Sequence, residues 1–333
     1  MVPEAKHFLP LSANVKRPLR KWPRWRSWSR PTWRLERLDS RPGLSTHPEC
    51  THQPRNSFSW PESLLPLKIS HIKIADRELF GTAQSVVDVL DRARTQGVDI
   101  SADIYPYEHW ASDLLVLFPS RDLINTEAAQ YTLAHTGAPE DILLTRFLPD
   151  PRLEGQTLAE IAQQSEKSPV TLLLEMAQAG ATYMDETGRE GTWIIVKGMD
   201  DSDVSTFMQW EFTNLCSDGM HNGDHPRGHG AFPRFLRHYV RDLGVMELPK
   251  AINKMTALSA ASIGVSDRGQ IQTGYYADLV LFDPAAIEDR ATMKDSSPLS
   301  VGIKSVWVNG VLAFDDGEPT MVYPGRIVSR AGQ

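Results

Sequence analysis

The chain has 333 residues, 41% of them apolar and 23% charged, with a formal net charge of −7. That length holds one large domain or two ordinary ones, and the apolar share supports a packed core. Two cysteines, Cys50 and Cys216, exclude a disulfide framework and point to a reducing, cytoplasmic setting. No apolar run approaches a membrane span, and no secretory signal is recognisable.

The charge is unevenly spread. Residues 1–60 carry twelve Lys and Arg against four Asp and Glu, a net of +8, which leaves −15 for residues 61–333. Five of the nine tryptophans and eight of the 23 prolines also fall in the first 60 residues, so two compositions meet near Trp60. The run Lys21 to Arg34 interleaves basic and aromatic residues, which suits a nucleic-acid arm or an Arg- and Ser-rich transit peptide. Neither helical nor strand periodicity is present, so residues 1–63 are read as a disordered segment, and a nucleic-acid partner is not expected. His47, Cys50 and His52 lack a flanking strand to position them, and chance explains their spacing.

Order is expected from Leu64. Leu65 to Ile74 is a strand candidate that ends in a polar cluster. Thr82 to Gln96 places Val86, Val87, Leu90 and Ala93 on one helical face, with Gly97 as its stop. Val98 to Tyr107 reads as a second strand, which makes a parallel β/α unit. An insertion is expected near residues 108–185. Thr157 and Glu160 form a capping box for a helix through Gln164, and Ser168-Pro169 starts another that stops at Gly180. Trp193–Val196 is a short strand, Asp201–Gln209 helical, and Pro249–Ile263 an amphipathic helix. After Ser266 the period changes. Gly269–Pro284 suggests two strands around a Gly turn, and Asn309-Gly310 marks a hairpin within Val301–Ala313. The domains expected are 1–63, a β/α region over 64–265 and a C-terminal β module over 266–333.

The stretch Phe212–Arg234 organises this plan. Phe212–Cys216 can be a buried strand, and Ser217-Asp218-Gly219 is a turn at its C-terminal end. Side chains on the loop after a barrel strand sit well for chemistry, and a carboxylate there can hold a metal ion or move a proton. Taken alone, Ser-Asp-Gly equally reads as an Asx-type turn. His221, His225, His229, Asp224 and Arg227 follow among glycines and prolines.

Four segments in this order resemble the D-aminoacylase group, the N-acyl-D-amino-acid deacylases among metal-dependent amidohydrolases. They are Ile69–Lys73, Asp103–Tyr107, Ser217–Gly219 with His225–Arg227, and Arg268–Asp283; Val308–Gly310 and Pro324–Arg326 fit as well. The resemblance covers about residues 64–330 and implies an α/β fold: part of a TIM-like β/α barrel followed by a small β module. It implies a zinc-dependent hydrolase that cleaves the linear amide of a small N-acyl-D-amino acid with metal-activated water. By motif, His71 and Asp218 resemble metal ligands, and Asp218 the catalytic acid/base. Lys73 and Arg227 resemble carboxylate-binding groups, and Tyr105 a substrate-binding hydroxyl. The bland alternatives are a backbone-satisfied histidine, surface ion pairs and a core tyrosine. The three loop histidines are not ligands in the group's pattern, and Cys216 reads as core.

The departures carry an expectation of their own. The group's upstream His-x-His, a bridging anionic ligand and a further histidine are not recognisable, so the zinc site is expected to be incomplete. Roughly half of the barrel strands are expected to be missing, which would leave edges open to pairing with another chain. A non-catalytic remnant of the group and a cyclic-amide hydrolase are the competing functional readings.

Overall fold

The computed structural model describes residues 66–220 and 223–328. The readings of residues 1–63, Cys50 and His221 lie outside the described residues.

The chain opens with strand β1 (Leu67–Ile69), helix α1 (Ala83–Thr95) and strand β2 (Ile100–Ile104). β1 is much shorter than the Leu65–Ile74 expected. Its continuation is cut by a turn at His71, whose φ is +41°. α1 buries Ala83, Val87 and Leu90 on one stripe and ends before Gly97, whose φ of +90° suits a glycine after a helix.

An insertion follows: β3 (His109–Ser112), α2 (Thr126–His135), β4 (Ile142–Phe147), β5 (Gln156–Thr157), α3 (Leu158–Gln164), α4 (Pro169–Thr187) and β6 (Thr192–Lys197). Its four strands form one antiparallel sheet in the order β3-β6-β4-β5. The sheet and helices enclose their own core, with Leu114, Phe118, Leu144, Leu173 and Ile194 at its centre. This antiparallel sheet extends to Lys197, because Trp193–Val196 pairs with β3 and β4. The Thr157–Glu160 capping box and the Ser168 cap start α3 and α4 as expected. Gly180 does not stop α4. It lies mid-helix, where a Cβ would come within 2.8 Å of Thr192 Cγ2, so its role is close helix–sheet packing. The helix ends at Gly188, which is left-handed.

The chain then returns through α5 (Asp201–Gln209), β7 (Thr213–Leu215) and α6 (Arg227–Arg234), which runs on as a π-wound segment over Phe235–Asp242. α7 (Leu248–Met255) and α8 (Ala257–Ser262) replace the single helix expected over Pro249–Ile263; the break is Thr256, at φ −123° and ψ −89°.

β1, β2 and β7 form a three-stranded sheet, parallel throughout, in the order β1-β2-β7. Strand side chains alternate between faces. One face presents Ile100, Ala102 and Ile104 to α1, α5 and the π-wound segment, the largest apolar core among the described residues. The other carries Asp103 and Asn214 side by side, in register. The described fold is α/β.

The C-terminal module is an antiparallel sheet of β8 (Leu279–Phe282), β9 (Ile303–Val308), β10 (Val311–Asp315) and β11 (Glu318–Pro319), ordered β11-β10-β9-β8. Asn309-Gly310 joins β9 to β10 with φ of +51° and +80°, as a hairpin of this twist requires. Gly269–Pro284 gives one strand rather than two. The amides of Tyr275, Tyr276 and Asp278 bond to Gln272, Asp267 and Tyr276, and these local turns leave no ladder.

Candidate active site

The candidate site lies where the three parallel strands end. His71 and Lys73 follow β1, Tyr105 follows β2, Asp218 follows β7, and Arg227 opens α6. Strand ends of a parallel sheet share one edge, so the topology alone draws these residues together. His71 and Asp218 both adopt left-handed backbone, at φ +41° and +47°. That region costs a non-glycine residue on the order of 1–2 kcal/mol.

Tyr105 is the floor. It is 1% exposed, and its hydroxyl is buried without a hydrogen-bond partner. Burial raises its pKa, so the group is a neutral phenol at ordinary pH. Two cations look onto its ring: the Arg227 guanidinium at 4.8 Å and the Lys73 ammonium at 5.7 Å from the centroid. Arg227 is 7% exposed and pairs with Asp218 Oδ2 at 2.9 Å. Lys73 donates to His71 Nδ1 at 2.7 Å and to the His71 carbonyl at 2.9 Å. Burial lowers the Lys73 pKa to about 8, against the opposing pull of Asp218, and Arg227 lowers it further.

The loop that carries Asp218 and Arg227 is pinned by His225. This buried imidazole donates from Nε2 to the His109 carbonyl at 3.1 Å and accepts the Arg227 amide on Nδ1 at 3.0 Å. Both ring nitrogens are thereby used, and burial, with Arg227 adding to it, holds its pKa well below the usual histidine range. His229 bonds to the Ser296 carbonyl at 2.8 Å. Cys216 is half-buried, its thiol pushed up in pKa by burial and by Asp103.

The metal question turns on the donors. Among the described residues no three His, Cys, Asp or Glu side chains gather as a metal centre. With Lys73 donating to Nδ1, a neutral His71 ring carries its proton on Nε2, and Asp218 is engaged by Arg227. The described residues therefore do not fit a closed zinc site, which takes three or four protein ligands.

A layer that the sequence reading passed over lies beneath the site. Lys68, Asp103 and Asn214 come from the three parallel strands and join in one network on the polar face. The signal for it was Asp103, a charged residue at an alternating position in the apolar strand Ile100–Ile104.

Residues 215–314 match the family model described as Amidohydrolase family. The chain is 34% identical over 271 residues to a D-aminoacylase of Alcaligenes xylosoxydans xylosoxydans, covering 80% of this chain and 49% of that one. It is 36% identical over 264 residues to an N-acyl-D-glutamate deacylase of the same organism, covering 79% and 48%. A crystal structure of D-aminoacylase superposes with a TM-score of 0.66 at 34% identity, over 80% of this chain and 50% of that one. Over about 80% of its length this chain is similar to the D-aminoacylase group. An N-acyl-D-glutamate deacylase from Bordetella bronchiseptica, solved with zinc and a phosphonate mimic of the tetrahedral intermediate, superposes with a TM-score of 0.62 at 32% identity, over 76% and 48%. A D-aminoacylase structure has been described with a binuclear metal centre. The chain spans about half the length of these relatives. No helix among the described residues is long and apolar enough to cross a membrane.

Proposed function

We propose that this chain carries the substrate-holding part of an N-acyl-D-amino-acid deacylase site, built on part of a TIM-like β/α barrel. The observation that supports this most is the pair of cations, Lys73 and Arg227, over the buried Tyr105 ring. A carboxylate entering between them meets a forked guanidinium, an ammonium and an unpaired phenol, which suits one end of an N-acyl-amino acid. Asp218 stands beside Arg227, where it can take a proton from an attacking water and return it to the departing amine. His71, next to Lys73, is the remaining ligand-type side chain. The substrate reading rests on the relatives, which act on N-acyl-D-amino acids by their names. Linear substrates are favoured over cyclic amides on the same ground.

Zinc is the metal of the group and polarises an amide carbonyl where it is bound. The described residues alone do not complete a site for it, and no step is routed through it. That absence of a third donor favours a second reading, a protein that holds the ligand without turning it over. The two separate cleanly in one assay. The full chain is loaded with zinc, and release of free D-amino acid from N-acetyl-D-amino acids is followed with D-amino acid oxidase. Retention of bound zinc with turnover above the Asp218→Ala control supports the deacylase. Loss of zinc on gel filtration and rates equal to that control support the non-catalytic reading.

A further inference from the structure

We infer that Asp103, together with Lys68, is a positioning residue for the carboxylate-binding side of this site; the inference rests on the proposed substrate class. Asp103 is 8% exposed, and its two carboxylate oxygens do different jobs. Oδ1 accepts the His71 backbone amide at 2.6 Å. Oδ2 faces the Lys68 ammonium at 3.7 Å. The Asp103 carbonyl accepts the Ile72 amide at 2.8 Å, so one residue of β2 grips two consecutive amides of the turn after β1. Lys68 also donates to the Ala102 carbonyl at 3.2 Å and to Asn214 Oδ1, and Asn214 Nδ2 reaches Ser259 Oγ at 3.2 Å. The ends of all three parallel strands are thereby tied by side chains before the site begins.

The consequence runs through geometry. His71 is held at φ +41°, a conformation with no glycine to ease it, and the charge-assisted bond from its amide to Asp103 offsets that cost. With His71 in that turn, its carbonyl and Nδ1 both receive the Lys73 ammonium. Lys73 is thereby aimed at the Tyr105 ring that Arg227 also covers. Asp103 touches neither Lys73 nor the space above Tyr105; it acts through the backbone of His71.

The test uses the full chain and the variants Asp103→Ala, Asp103→Asn and Lys68→Met. Asparagine keeps an oxygen for the His71 amide, whereas alanine does not. Hydrogen exchange of a peptide spanning 70–75 reads the turn without any ligand. Faster exchange there in Asp103→Ala, with unchanged exchange over Ile142–Phe147 and near-normal exchange in Asp103→Asn, is expected. Equal exchange in wild type and Asp103→Ala overturns the inference. If Asp103→Ala does not fold, Lys68→Met takes its place, with the same comparison of peptides. Calorimetry then compares N-acetyl-D-leucine with its carboxamide. Asp103→Ala is expected to lose tenfold or more in affinity for the acid, with no change for the carboxamide, and Asp103→Asn to stay within threefold of wild type. A loss shared by both ligands, or the same loss in the asparagine variant, contradicts a positioning role. If the wild type binds neither ligand, the substrate reading fails by itself, while the exchange data still decide whether Asp103 holds the turn.

Discussion

Arg227 does two things at once, and they can be separated by substitution. It neutralises Asp218 at 2.9 Å and presents a planar fork above Tyr105. Arg227→Lys keeps a charge but loses the fork, so a weakening of about tenfold in ligand affinity is expected. Arg227→Met removes the charge as well, and a loss of roughly 30- to 100-fold, equivalent to about 2–3 kcal/mol, is expected by calorimetry. Lys254 makes a different kind of prediction. It is 3% exposed and donates to the carbonyls of Trp210 and Thr213, both at 2.7 Å, and Glu211 only partly opposes the effect of its burial. Burial, with Lys250 adding to it, lowers its pKa from 10.5 to about 8. Between those two values the unfolded chain holds a proton that the folded chain has released. Lys254 therefore destabilises the fold fully below pH 8, and this is relieved as pH rises toward 10.5. Urea unfolding at pH 7.5 and 9.5 checks it: the wild type should gain stability relative to Lys254→Met across that interval. A difference independent of pH would show that Lys254 titrates normally.

At the scale of elements, two glycines show how the chain approaches itself. Gly302 has φ +86°, and a Cβ there would stand 2.5 Å from the backbone of Ile287, which cannot move aside. Gly180 faces a side chain instead, the methyl of Thr192, and an alanine in a helix interior gains about 1 kcal/mol in propensity. Gly302→Ala is expected to cost about 3 kcal/mol or more, and Gly180→Ala distinctly less. Urea midpoints of the two variants measure the difference. Sequence reading located α1, the caps of α3 and α4, α5 and the Asn309-Gly310 hairpin, because each depends on residues within a few positions. It mistook Gly180 for a stop, since the neighbour that requires glycine is Thr192, on a strand that follows the helix. It assigned Trp193–Val196 no partner, because pairing with β3 and β4 is non-local. The position of His71, Tyr105 and Asp218 just after strand ends was legible, because each motif closes a strand candidate. The Lys68–Asp103–Asn214 layer was not, because it appears only once three distant strands are in register.

Among the described residues the two larger apolar cores lie one under the parallel sheet and one within the insertion, and a small third cluster holds Tyr105, Tyr107 and Ala231. The candidate site stands at the end of the first. The second reaches it through Arg146 of β4 to Asp224 at 2.7 Å, the His109 carbonyl of β3 to His225, and Trp110 of β3, which packs against the cluster of Tyr105 and Tyr107. The loop bearing Asp218 and Arg227 is thus held by the insertion as well as by its own strand, and the site's geometry depends on both cores being folded. What we propose this arrangement provides on its own is a seat for a carboxylate. The most direct measurement is calorimetric titration of the full chain with N-acetyl-D-leucine, N-acetyl-L-leucine and N-acetyl-D-leucinamide at pH 7. The account predicts that the D-acid binds, that the L-acid binds more weakly, and that the uncharged carboxamide binds at least tenfold more weakly than the D-acid. Equal affinity for the acid and the carboxamide, or no binding of the acid, would contradict it.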